Sequence, residues 1–297
     1  MARVPLPDGG VKITYATAPT SEGQVGVLSP PQSFDPLTAS PAELALYGVP
    51  PEPPATNPDS LKNWLQMVHN MHWIQAPPAL HDAPGTHFGQ IGTNTQGIWA
   101  GYYTQEGTGY FHYTSATYIE PPFHSSRCDP NDAVGYWTGI GGVGNGELGQ
   151  QGTAQGQVDN LGQDQGWIET NLGTVYGTNI SATVNYNFYI ATSYTNGQYN
   201  YFFYNYYNGA STTYYTVTSQ FSGATTDYIA ERPTANLKNF ATMQFTNVTA
   251  ASQQYPISHY PYVEAIMVNP ADNNLLAQPN GVNGAGDAFS VTQHTCN

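Results

Sequence analysis

Two Asn-Gly pairs, at 196–197 and 208–209, constrain the fold of this chain more than any other feature. Each is flanked by aromatic and β-branched runs in "ATVNYNFYIATSYTNGQYNYFFYNYYNGASTTYYTVTSQF". A two-residue hairpin turn of the primed type needs positive φ at both positions, which asparagine and glycine tolerate best. The segment therefore predicts three consecutive antiparallel strands. Strand-like segments recur at "GIWAGYYTQ", "GYFHYTSATYIEP", "AVGYWTGIGG", "GWIETNL", "TDYIAE", "NFATMQFTNVTA", "YVEAIMVNP" and "DAFSVTQHT". So many short strands within residues 91–297 predict one all-β sandwich.

Residues 1–90 hold most of the prolines and the helix signals. "SPAELALYG" sets Ser40 as N-cap, Pro41 at the first helical position, Glu43 to close a capping box and Gly48 as the stop. "NPDSLKNWLQMVHNMHW" starts the same way at Asn57 and Pro58, and Leu61, Trp64, Leu65, Val68 and Met71 recur at helical spacing. A helix this short needs a surface to pack on. The expectation is an N-terminal extension, 1–90, with two short helices, either packed permanently on the sandwich or acting as a prosegment over a cleft. His69 and His72 lack a third ligand at a suitable spacing, so no metal site is expected, and no cofactor.

Charged residues make up 9% of the chain, against roughly 25% in an ordinary domain. Lys plus Arg number 6 against 20 Asp plus Glu, a net charge of −14. This leaves no basic footprint for nucleic acid or an anionic membrane, and no apolar run approaches the roughly 20 residues of a membrane span. Few titrating pairs also means little to lose on acidification, which suits an acidic medium. "MARVPLPDGG" is not a signal peptide. Cys128 and Cys296 are either bridged across a long loop or two buried thiols.

There is no GxSxG elbow, HExxH or P-loop. Gly139, Gly141 and Gly144 match GxGxxG, but no helix follows, and a loop is expected. Carboxylates are scarce enough that Glu231, at the end of "TDYIAERPT", stands out. Alternation puts Asp227, Ile229 and Glu231 on one face, and Pro233 ends the ladder.

Taken together, "IWAGYY" (98–103), "ATYIEPPF" (116–123), "YWTGIGG" (136–142), "LGQQGT" (148–153), "GWIE" (166–169) and "DYIAERP" (227–233) resemble, in order, the glutamic peptidases or eqolisins, a family of acid endopeptidases. The resemblance covers residues 91–297. It implies a concanavalin A-like sandwich of two antiparallel sheets and a catalytic Glu/Gln pair. The matching glutamate is Glu231. The family pattern Gln-x-Gly selects Gln150 over Gln151, whose side chain should point to the opposite face. Trp137 matches a tryptophan lining the substrate cleft, and Glu169 an acidic residue near the pair. The implied partners are protein or peptide substrates, and a secreted monomer working in an acidic environment is expected. Two competing readings are a carbohydrate-binding sandwich, whose tyrosines between 186 and 215 stack on sugars, and an inactive relative of the peptidases.

Overall fold

The computed structural model describes residues 1–15, 24–75, 77–78, 97–122, 132–143, 147–158, 162–171, 175–233, 237–251 and 253–296. Two antiparallel sheets pack face to face. The smaller has seven strands: β5 (Trp99–Gln105), β7 (Ala133–Gly141), β8 (Leu148–Val158), β9 (Gly162–Thr170), β10 (Tyr176–Ser181), β14 (Thr225–Glu231) and β17 (Tyr262–Ala265). Their order is β10-β9-β8-β7-β14-β5-β17.

The larger sheet is centred on β6 (Tyr113–Ile119), β11 (Asn187–Thr195), β12 (Gln198–Asn205) and β13 (Ala210–Val217). One flank carries β15 (Thr242–Ala250), β20 (Phe289–Gln293), β19 (Leu275–Pro279) and β18 (Met267–Val268), with β16 (Tyr255–Pro256) paired to β15. The other is built by the N-terminal region. There β3 (Val25–Ser29) pairs with β13 and leads to β2 (Val11–Tyr15) and β1 (Ala2–Pro5), while β4 (His72–Trp73) adds a short parallel bridge. Residues 2–29 thus contribute strands to the sandwich, beyond the two helices the sequence announces.

The first Asn-Gly pair turns as expected. Asn196 and Gly197 have φ of 51° and 76°, and Thr195 faces Gln198 across a two-residue turn. The second differs: β12 ends at Asn205, Gly209 alone takes positive φ, and its N–H donates to the Asn205 carbonyl. Tyr206 and Tyr207 join the loop, lengthening it to four residues and relieving Asn208 of the left-handed conformation.

Helix α1 (Pro41–Leu46) has the full capping box between Ser40 and Glu43, and α2 (Pro58–Asn70) is capped by Asn57. Leu44, Trp64, Met67 and Val68 from this region pack with Tyr113, Tyr189, Phe202 and Tyr204, on the outer face of the larger sheet. A second apolar layer, including Tyr136, Ile140, Phe188 and Phe203, fills the space between the sheets. A third, around Trp99, Trp137, Trp167 and Ile229, lies on the outer face of the smaller sheet. Both helices therefore dock on the side of the sandwich away from Glu231.

Candidate active site

Register alone lays out the outer face of the smaller sheet as three rows running across β5, β14, β7, β8 and β9. The first row is Trp99, Glu231, Gly135, Ala154 and Gln165. The second is Gly101, Ile229, Trp137, Gly152 and Trp167, and the third is Tyr103, Asp227, Gly139, Gln150 and Glu169. Glu231 and Gln150 thus share one face, two strands and four residues apart, with the Trp137 row between them. Successive side chains alternate faces, so Gln151 points the other way, into the sandwich, where its Nε2 donates to Thr192 Oγ1 at 3.0 Å.

The tryptophans are arranged edge to face. Trp99 and Trp137 have ring centroids 5.0 Å apart at 78°, a geometry that places the positive edge of one ring on the negative face of the other. The Trp137 indole Nε1–H, which can only donate, gives a hydrogen bond of 2.7 Å to Glu231 Oε2 and so orients that carboxyl. Gly152 explains why Gln-x-Gly is needed here. It lies opposite Trp137, and a Cβ on it would stand 2.0 Å from the Tyr136 carbonyl oxygen and 2.6 Å from Trp137 Cβ. Any side chain at 152 would push the indole out of place.

Gln150 Nε2 donates to Glu169 Oε2 at 2.8 Å. Glu231, Gln150, Trp137 and Glu169 are all 0% exposed. Glu231 closes its strand, and the next backbone N–H, of Arg232, still reaches the Ile98 carbonyl at 2.9 Å, which anchors the end of the strand. Cys128 lies outside the described residues, and with it the proposed pairing to Cys296.

Asp227, which alternation puts on the Glu231 face, lies in the same row as Gln150. It is fully buried, its Oδ1 has no hydrogen-bond partner, and Oδ2 receives only a 3.5 Å contact from Thr225 Oγ1. Burial pushes its carboxyl well above the usual range, with the Thr225 hydroxyl acting weakly in the other direction. Among the described residues no group of three or more His, Cys, Asp or Glu could hold a metal ion.

No protein-family model and no curated protein matches the sequence. Among solved structures the chain is similar to scytalido-glutamic peptidase bound to a transition state analog inhibitor, with TM-score 0.56 and 14% identity, covering 67% of this chain and 99% of that one. It is also similar to SCP-B, a member of the eqolisin family of peptidases in complex with the tripeptide Ala-Ile-His, with TM-score 0.51, 14% identity and the same coverage. The chain therefore has the fold of the glutamic peptidases.

Proposed function

We propose that the protein is an acid endopeptidase in which Glu231 and Gln150 activate a water against a peptide bond. The observation that carries this reading is the shared face: a carboxyl oriented by Trp137 and an amide oriented by Glu169, on either side of an apolar tryptophan row. The Glu231 carboxylate takes a proton from water as its oxygen bonds to the scissile carbonyl carbon. A Gln150 N–H donates to the developing oxyanion without adding a charge that would titrate at low pH. The protonated Glu231 then gives its proton to the amide nitrogen, the C–N bond breaks, and the carboxylate is restored. Peptide ligands in the structures of similar fold agree with a peptide substrate.

The pair is fully buried, and the two helices contribute nothing to that burial, because they pack on the far sheet. The carbohydrate reading keeps few platforms, since Tyr189, Tyr199, Tyr201, Tyr204, Tyr214 and Tyr215 are buried, and the strongly exposed Tyr207 is stacked on Tyr186. The test is digestion of denatured casein at acid pH by the wild type, Glu231→Gln and Gln150→Ala, with mass spectrometry of the chain itself. Cleavage by the wild type, lost in both variants, is expected. Glycan binding without cleavage at any pH would overturn the reading.

A further inference from the structure

Two buried indoles use their N–H within the protein: Trp64 donates to the Pro50 carbonyl and Trp137 to Glu231. Trp99 does not. It is 0% exposed, it packs edge to face on Trp137, and its Nε1–H has no hydrogen-bond partner. An indole nitrogen only donates, so no change of protonation relieves it. Phenylalanine would keep an aromatic contact with Trp137 without burying an unpaired donor. A tryptophan at this position therefore points to an acceptor that arrives with a ligand.

Trp99 stands opposite Glu231 in the first row, one strand further from Gln150. Paired residues on neighbouring strands lie about 5 Å apart. In the next row β5 and β17 carry only Gly101 and Ala265, so these two strands raise no large side chain beside the indole. In the proposed reaction the oxyanion forms at Gln150 and the leaving nitrogen is protonated at Glu231. The chain that follows this nitrogen then continues past Glu231 towards Trp99. An extended peptide advances about 3.3 Å per residue. The carbonyl of the residue that supplies the leaving nitrogen is thus the first acceptor within reach of the indole.

We propose that the Trp99 indole N–H is a substrate-binding donor, which holds the backbone carbonyl of the residue immediately after the scissile bond. This rests on the peptidase reading given above. The contact grips main chain, so it holds the leaving fragment without selecting its side chain. That carbonyl gains no charge during the reaction, and the bond is equally strong in the bound substrate and in the transition state. Its loss therefore acts on KM and leaves kcat nearly unchanged.

The test compares the wild type and Trp99→Phe on two peptide substrates at acid pH, at a temperature where both proteins are folded. One substrate is all amide; in the other, the bond after the residue in question is an ester, whose carbonyl is a weaker acceptor. For the amide substrate, Trp99→Phe should raise KM about tenfold with kcat changed less than about threefold. The ester should raise KM about tenfold in the wild type and less than about twofold in Trp99→Phe. A variant that loses kcat instead, by the same factor on both substrates, would show that Trp99 only packs against Trp137, and the proposal falls. The wild type supplies a second readout, the NMR signal of the Trp99 indole N–H. It should move when a peptide with a non-cleavable reduced amide at the scissile bond is added, and move less with the ester form of that peptide. Should the wild type not cleave, the peptidase reading falls, while a moved signal upholds Trp99 as a donor to bound peptide. A signal unmoved by the peptide refutes the proposal whether or not the wild type cleaves.

Discussion

The two outer faces of this sandwich are both lined with large aromatic residues, and they do different things. On the larger sheet, the aromatics meet the helices, and the polar atoms there satisfy each other: Tyr113 and Tyr189 share a 2.7 Å hydroxyl contact, and the Trp64 indole donates to the Pro50 carbonyl at 2.9 Å. That face is a core. On the smaller sheet, the tryptophans are interleaved with carboxyls and an amide, in a chain where charged groups are only 9% of residues. Burying acids is unfavourable, so a face that gathers three of them is better explained by chemistry than by packing.

The largest expected difference between the faces is in rate. Glu231→Gln removes the proposed base and should lower casein cleavage by about 10⁴-fold while leaving the melting temperature nearly unchanged, because the substitution keeps the shape of the side chain. Next comes a dependence on pH that belongs to neither outer face. Burial between the sheets raises Glu120 from an ordinary 4.5 to about 8. An acid whose folded value is raised binds its proton more tightly when folded, so its stabilising contribution is complete below about 4.5 and is lost as pH rises towards 8. That shift amounts to at most about 5 kcal/mol, at about 1.4 kcal/mol per pH unit. Urea unfolding at pH 4 and pH 8 should show the loss, and Glu120→Gln should flatten it.

On the helix-covered face the sign of the comparison reverses. Trp64→Ala should remove about 3–5 kcal/mol of stability, read by urea unfolding, with kcat unchanged below the melting transition. A smaller effect, about 1–3 kcal/mol, is expected for Gly152→Val, since its side chain must displace Trp137; here activity should fall together with stability. The mildest change is Trp137→Phe, which keeps most of the ring and loses the bond to Glu231. A drop in kcat of about tenfold is expected.

Much of this architecture is legible in the sequence where local chemistry dictates it. The Asn196-Gly197 turn and the Ser40–Glu43 capping box follow from residue type alone, and strand alternation orients Glu231 and separates Gln150 from Gln151. Strand β8 is harder to read, because "LGQQGTAQGQV" has few β-branched residues and is held as a strand by its neighbours on both sides. The strands at residues 2–29 are not legible locally, because β3 joins the sheet through β13, nearly two hundred residues away in sequence. Alternation puts Asp227 on the Glu231 face, but its place in the Gln150 row depends on register across four strands, which no local pattern encodes.

The central claim is that peptide chemistry belongs to the outer face of the smaller sheet. The most direct measurement is a crystal structure with a peptide carrying a tetrahedral transition-state mimic, bound at acid pH. The mimic's hydroxyl should lie between the Glu231 carboxyl and the Gln150 amide, over the Trp137 ring. A peptide seated instead in the cavity of about 430 Å³ between α1 and the larger sheet, beside His112 and Tyr194, would contradict the account.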